Sequence, residues 1–547
     1  MPQLLLGPLL RHLGADDATI WVETDGPCEV EVLGHRAETF HVEGHHYGLV
    51  VLQGLEPGRT YEYEVALDGK RAWPEEGSRF PASVIRTVGD DRGLRFLFGS
   101  CRVSYPHEPP YTLHPEEHEH GRGLDALYAY ALRMMEQPPE EWPCAIFLVG
   151  DQVYADEVSP KTLEYIRARR DTSEPPGEEV ADFEEYTRLY WEAWQDPVIR
   201  WVLSTVSSAM LFDDHDVHDD WNISAAWLEK MRAKSWWDER IVGAFMSYWL
   251  YQHLGNLSPR ELAEDEVLPR VLEADDAGPI LREFAFRADR ETAGLRWSFC
   301  RDFGRTRVIA IDCRAGRVLD EDRRFMVDEE EWNWLCERAE GDFDHLFVAM
   351  SDPFLLAPGI HDLQVWNEAV CSGVWGKAMA RVGERIRQGA DLDHWASFPL
   401  GFDRLTNLLR SVGSGKRGTA PASIVALSGD VHNAYLAEVA FRRGDGVRSR
   451  VYQAVCSPIR NPLTPSERRA QRFGASSLAA GIGRVLRIAA RRPAPDIRWR
   501  FVRKPSFVNQ IATVELDGRE ATIRFEGPVA RAGRPPELVR LFERALT

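Results

Sequence analysis

Short apolar runs that end in polar residues recur along this chain between about residues 94 and 460. They read "LRFLFGSC" (94–101), "CAIFLVGD" (144–151), "AMLFDD" (209–214), "RVIAIDCR" (307–314), "HLFVAMSD" (345–352), "SIVALSGDVH" (423–432) and "RVYQAVCS" (450–457). Runs of this length suit strands covered on both faces by helices. Between the first two, "GLDALYAYALRMME" places Leu124, Leu127, Tyr128, Ala131, Leu132 and Met135 on one helical face. "DEEEWNWLCERA" supplies a further helix between the 307 and 345 runs. The pattern predicts an α/β core.

Ahead of it the period changes. "ATIWVET", "CEVEVLG" and "TYEYEVALDG" alternate polar and apolar residues and end in turn-formers, as half-buried strands do. Residues 1–88 are therefore expected to form an antiparallel β-sandwich of immunoglobulin or fibronectin type, with "VGDDRG" (88–93) as the boundary to a second domain over 94–547. Two stretches, about 155–205 and 222–295, are long, acidic and helical in texture. They read as insertions, either lids that shape a substrate site or surface decoration. Residues 465–492 are strongly basic, and the expectation is one solvated helix against the acidic body, with an amphipathic helix at a membrane or polyanion as the alternative. Residues 508–527 read as a β-hairpin with Asp-Gly at its turn.

Composition narrows the classes. The 547 residues carry 86 acidic against 66 basic side chains, a net charge of −20, which argues against general nucleic-acid binding and suits a protein that concentrates cations. The eight cysteines are scattered with no CxxC pair. The amino terminus shows neither a signal peptide nor a twin-arginine pair, and no apolar run reaches the ~18 residues of a transmembrane helix. A cytoplasmic protein with reduced thiols is expected.

"LFDDHDVHDD" (211–220) then needs an explanation, because seven of the eight residues from Asp213 to Asp220 can ionise. Carboxylates packed that closely repel one another unless something positive lies among them. In open α/β sheets the reactive site lies beyond the carboxyl ends of the strands. Those ends carry Cys101, then Asp151 and Tyr154, then Asp213, Asp214 and His215, then Asp430 and His432. Alone, Cys101 reads as a small core residue, Asp151 as a helix cap and His432 as a satisfied polar group. Together they are ligands for multivalent cations.

"FLFGSCR", "FLVGDQVYADE", "LFDDHDVHDDW" and "ALSGDVHNAY" resemble, in order, the motifs of the alkaline phosphatase D (PhoD-like) family of the calcineurin-like metallophosphoesterases. The likeness extends to "GPLLRH" with "ATIWVET" near the start and to "SPI" at 457–459. It implies two mixed sheets flanked by helices behind the N-terminal β-domain. It also implies a centre of iron with calcium. Against the general pattern of the superfamily, Cys101 stands at the first aspartate and Val103 at the first histidine. Asp430-Val431-His432 stands where two histidines usually lie, Asp214 at the asparagine ligand and His215 at the catalytic histidine. The family usually reads Asn-Asn-Trp where this chain has Asp219-Asp220-Trp221.

The expected metal ligands are thus Cys101, Asp151, Tyr154, Asp214, Asp430 and His432, with Asp151 able to bridge two ions. Thiolate, phenolate and imidazole favour ferric iron; the remaining carboxylates suit Ca²⁺, with Mn²⁺, Mg²⁺ or Zn²⁺ as alternatives. The expected reaction is hydrolysis of phosphate mono- or diesters by a metal-bound hydroxide, with His215 as general acid. Asp213, Asp216 and His218 are read as orienting groups. Ser104, His107, His114, His118 and His120 are read as a solvated loop, with a lining of the site entrance as the alternative. Asp312 and Asp352 are weaker candidates for the site's surroundings, and His361 and His394 weak candidates for the further histidine ligand that the resemblance implies. The alternatives are a non-catalytic metallophosphatase-like scaffold that binds partners and, less favoured, a binder of nucleic acid or membrane through residues 465–492.

Overall fold

The structure is a computed structural model and describes residues 2–89, 92–291, 295–531 and 533–547. Asp90 and Asp91 of the expected boundary, and residues 292–294 at the end of the second insertion, lie outside the described residues. The core is two mixed sheets. One has the spatial order Ser207–Leu211, Ala145–Val149, Arg92–Gly99, Ile511–Asp517, Glu520–Arg531, Arg534–Ala545; its first three strands are parallel and the rest antiparallel. The other runs Phe299–Phe303, Thr306–Ile311, His345–Met350, Ser423–Ser428, Arg450–Val455, Ala434–Ala440, Arg498–Ser506, with four central parallel strands.

Strand periodicity explains why the sheets stack. Phe96, Phe98 and Phe147 of one sheet and Val308, Phe347, Val425 and Leu427 of the other form one buried cluster. Phe96 meets Phe347 edge-on with ring centroids 5.0 Å apart, a favoured aromatic geometry. The intervening residues of the second sheet, Ile309, Ile311, Leu346, Val348 and Ile424, enter a different cluster under helices Glu329–Arg338 and Pro399–Gly413. Both faces of each strand are apolar because both are covered. The chain is thus a mixed α/β protein with an all-β amino-terminal region.

That region has two four-stranded sheets. Leu4–Leu13, Asp17–Thr24, His45–Gln53 and Phe40–Val42 form one; Glu29–Val32, His35–Glu38, Val65–Leu67 and Lys70–Trp73 form the other. Ile20, Val22, Val30, Val50 and Val65 fill the space between them. The opposite side of the first sheet presents Trp21 and Tyr47 to the long helical segments. Trp21 packs on Trp194 and Tyr251 with centroids 6.4 and 5.3 Å apart. These helices, Phe183–Trp194 and Trp237–Ser247 with its π-helical continuation Tyr248–His253, join the two regions. Within the two stretches, these helices spend their apolar faces on that junction.

Arg11 fastens it. Fully buried, its guanidinium donates to the carbonyls of Ser208 (3.2 Å), Tyr251 (2.5 Å) and Gln252 (2.8 Å). Tyr251 and Gln252 lie at a helix end, which leaves their carbonyls unpaired and sets the cation at the negative end of the helix dipole, while Ser208 lies in strand Ser207–Leu211.

The basic stretch expected as one helix over 465–492 is two helices, Pro465–Gly474 and Ser477–Ala489. The second crosses helix Pro358–Cys371 where Gly483 faces Gly359; a Cβ on Gly483 would lie 2.8 Å from the Gly359 carbonyl oxygen. Near the carboxyl terminus, strands Ile511–Asp517 and Glu520–Arg531 turn at Gly518, in the left-handed region at φ 56°. A third strand, Arg534–Ala545, extends that pair.

Replacing Arg11 by methionine should keep the side chain's bulk but leave three buried carbonyls unpaired, at a cost of about 3 kcal/mol or more. Urea unfolding followed by tryptophan fluorescence should show a lower midpoint. An unchanged midpoint would mean that Arg11 does not fasten the junction.

Candidate metal centre

Register brings the strand ends together. Phe98 pairs with Phe147 and Phe147 with Ala209, so Ser100-Cys101, Gly150-Asp151 and Asp213-Asp214 leave the first sheet at one edge. In the second sheet Ile311 pairs with Met350, and Ala349 with Leu427. Asp312 to Arg314, Asp352 and Gly429-Asp430 therefore leave on the same side. The two edges meet at Gly429. A Cβ there would lie 2.0 Å from Ser100 Oγ, and the Asp430 amide donates to that oxygen at 3.2 Å. Only glycine allows this approach.

Four of the expected ligands have left-handed backbones: Cys101 (φ 56°), Asp151 (49°), Asp430 (61°) and His432 (49°). Such conformations cost non-glycine residues about 1–3 kcal/mol each and cluster at functional sites. Here they turn side chains off the strand ends toward a common centre.

Three groups of ligand atoms lie mutually within 4.8 Å: Cys101, Asp151 and His432; Asp151, Asp214 and His215; Asp213, Asp214 and Asp430. Tyr154 joins them by donating its hydroxyl hydrogen to Asp151 Oδ2 at 3.1 Å. All seven residues expected at the site are therefore brought together. The other oxygen of Asp151, Oδ1, is buried and has no hydrogen-bond partner among the described residues. An unpartnered carboxylate oxygen on a residue grouped with a thiol and an imidazole is what a cation would satisfy. Burial, with the nearby Asp214 and Asp430 adding to it against His215, pushes the Asp151 carboxyl up to about 7. Burial and then Asp151 raise the Cys101 thiol well above its usual value. Burial and then His215 lower His432 to about 4, leaving its ring neutral. The donor set of sulfur, oxygen and nitrogen fits a transition ion beside a harder one.

The fixed positive charge is Arg314, at the end of strand Thr306–Ile311. Its guanidinium reaches Asp213 at 2.6 Å, Asp352 at 3.2 Å, Asp214 and Asp430 both at 3.6 Å, and Asp393 at 2.5 Å. Arg317 pairs with Asp352 at 2.6 Å and Asp393 at 3.1 Å. Asp312, read as a weak site candidate, accepts from the amides of Arg314, Ala315 and Gly316; it builds the turn that presents Arg314. The strand-end pattern "DCRAGR" was the available signal for both arginines.

His215 is held by Asp156, both of whose oxygens lie 3.0 Å from Nδ1. Burial opposes its charge, but Asp156 and Asp214 outweigh burial and raise it well above its usual value. Asp156 stands five residues beyond Asp151, inside "FLVGDQVYADE", but is assigned no role there from the sequence. His394 Nε2 lies 2.9 Å from Asp430 Oδ2, and His394 forms a further group with Asp352 and Asp430. Asp216 accepts from the amides of Asp213 and Val153, while His218 bonds the Asp219 carbonyl at 2.8 Å. His361 lies elsewhere, against Phe402 and Trp499. In the histidine-rich loop, His107 stacks on Tyr128 at 3.8 Å and His118 contacts His120 at 5.5 Å; Ser104 lines a separate small pocket.

The centre opens on a cavity of about 1000 Å³. Its lining includes Asp214, His215, Asp430 and His432 together with the apolar Leu363, Ile482, Leu486 and Phe501. Asp219 and Asp220 also line it, and burial pushes their carboxyls up to about 7 and 9, Asp220 with help from Asp391 and Asp393.

Comparisons with known proteins agree with this architecture. Residues 1–85 match a domain of unknown function (DUF7800). Residues 121–274, which carry Asp151, Tyr154, Asp214 and His215, match the PhoD-like phosphatase family. The solved structure of PhoD superposes with a TM-score of 0.59 at 12% identity, over 99% of this chain and 90% of that one. A maltogenic amylase from S. marinus aligns with a TM-score of only 0.16 at 10% identity, over 96% and 78% of the two chains, too low to bear on the fold. No curated protein matches in sequence. Residues 121–274 thus match the PhoD-like phosphatase family, within a chain whose overall fold is similar to that of PhoD.

Proposed function

We propose that the chain is a metal-dependent phosphoric ester hydrolase acting on phosphate mono- or diesters. The observation that carries this reading is the run of ligand groups linked through Asp151, Asp214 and Asp430 beside an open cavity. Cys101, Asp151, Tyr154 and His432 would hold one cation, and iron suits their donor atoms. Asp214 and Asp430, with Asp151 shared, would hold a second, for which calcium suits the oxygens. When bound, the pair supplies water acidified toward a pKa of ~7 and a counter-charge for the phosphoryl oxygens.

The chain's own groups do the rest. Asp156 keeps His215 protonated and oriented at the cavity, ready to give its proton to the departing ester oxygen. Arg314 holds Asp213, Asp214 and Asp430 in place, so the carboxylates keep their positions against mutual repulsion. The apolar lining of the cavity displaces water from the ester's organic part. Asp219 and Asp220 put acidic groups where the family usually has two asparagines. Once ionised, above about pH 7 for Asp219 and about 9 for Asp220, they disfavour extra negative charge on the ester, so a diester is the better substrate at alkaline pH.

Three variants separate these roles. Asp151→Ala should abolish both bound metal, measured by elemental analysis, and turnover of bis(p-nitrophenyl) phosphate; full turnover by a metal-free preparation would overturn the proposal. His215→Ala should retain metal and lose ~10²–10⁴-fold in kcat. Arg314→Gln leaves buried carboxylates uncompensated and should cost about 3–5 kcal/mol of stability, read by denaturant unfolding, together with weaker metal retention. Thiolate or phenolate bound to ferric iron should also give the purified protein a visible charge-transfer band, which zinc or calcium alone would not.

A further inference from the structure

Helix Ser477–Ala489 inverts the usual arrangement of a surface helix. Its inward face carries Ala479, Gly483 and Arg487, and Arg487 is buried in an ion pair with Asp362 at 2.8 Å. Its outward face carries Leu478, Ile482, Val485 and Ile488, which are 65%, 47%, 66% and 61% exposed. A spacing of four, three and three residues keeps those four on one side of a helix. Phe473 of the preceding helix is 54% exposed as well. Five of the fifteen large apolar side chains exposed among the described residues therefore belong to this helix pair, so the exposure is concentrated rather than scattered. The helix does not need these residues to stay folded onto the protein, because the close Gly359–Gly483 crossing already anchors it.

The surrounding charge identifies what covers the stripe. Residues 465–492 hold seven arginines and one glutamate, in a chain whose net charge is −20. Arg469, Arg484 and Arg491 are exposed and make no ion pair among the described residues. At the far end of the helix, the half-exposed Trp375 donates its indole hydrogen to the Ala489 carbonyl at 3.3 Å. A second copy of this chain would set like-charged guanidiniums against each other across a twofold axis. An anionic lipid surface instead offers headgroups to the arginines, an apolar layer to the stripe and an interface to the indole.

We propose that helix Ser477–Ala489, with Phe473 and Trp375 at its ends, docks the protein on an anionic lipid bilayer, lying in the interfacial plane. No helix among the described residues is long and apolar enough to cross a membrane, so the contact is peripheral. The inner side of the same helix, at Ala479, Gly483 and Leu486, lines the cavity of the metal centre. Docking therefore sets the cavity beside the lipid surface. This proposal stands whether or not the centre hydrolyses phosphate esters.

Co-sedimentation of the full chain with vesicles tests it directly. Phosphatidylcholine vesicles containing phosphatidylglycerol should pull down the protein, vesicles of phosphatidylcholine alone should do so less, and added salt should release it. The triple variant Leu478→Ser, Val485→Ser, Ile488→Ser should bind at least about tenfold more weakly. These three side chains do not line the cavity, so turnover of bis(p-nitrophenyl) phosphate and the unfolding midpoint should be unchanged. Arg484→Gln with Arg491→Gln should weaken binding to the anionic vesicles and remove most of the salt effect. Wild-type protein that stays in the supernatant with anionic vesicles would overturn the proposal. So would a triple variant that binds as well as wild type, or one that changes only an oligomeric state seen by sedimentation velocity.

Discussion

Carboxylates gathered in a buried place repel one another and resist losing their hydration, and this constraint organises the whole centre. Asp151, Asp213, Asp214, Asp352, Asp393 and Asp430 converge where the edges of two sheets meet. Two guanidiniums, Arg314 and Arg317, stand among them and cannot balance them all. The imbalance is visible in the raised carboxyls of Asp151 and Asp213, burial being the main cause at each. A fixed cation on one side and metal cations on the other would resolve it. Arg314 fastens the side nearer Asp393; Asp151, with one oxygen unpartnered, lies with Cys101 and His432 on the other.

Every other feature of the core serves that meeting point. Stacking the sheets through Phe96, Phe347 and their neighbours brings two strand edges into contact. Gly429 lets the edges touch at Ser100, and left-handed turns at Cys101, Asp151, Asp430 and His432 aim side chains across the gap. Strained backbone of this kind persists only where surrounding packing over-determines it. The buried aromatic junction of the β-domain and the long helical segments adds to that packing. Arg11 ties it to strand Ser207–Leu211, two residues before Asp213.

The cavity links the centre to the helix that carries the apolar stripe. Its lining joins charged, chemistry-bearing groups to apolar residues of a helix whose other face is exposed. A protein this acidic would be repelled by an anionic surface unless positive charge were concentrated at the contact. Residues 465–492 concentrate it.

Much of this was legible in the chain itself. Apolar runs ending in Gly-Asp, Ser-Cys or Asp-Asp-His announced the strands and their chemistry, because a strand buried on both faces must be continuously apolar and must discharge its polar residues at its end. Asp151, Asp214 and His432 could be singled out for the same reason. Arg314 and Asp156 lie in "DCRAGR" and "FLVGDQVYADE", but their roles could not be read there, because their partners are 101 and 59 residues away. The long helical segments showed no sign of being a junction, since the aromatic surface they cover belongs to another region. Helix Ser477–Ala489 had a clear amphipathic pattern, yet periodicity reports only that two faces differ. Which face turns inward was decided by the close crossing at Gly359 and Gly483, a contact between residues more than a hundred positions apart. Local pattern determined the elements and their ligands; the tertiary structure decided which charges meet and which apolar surface is left uncovered, because both depend on distances that no local window contains.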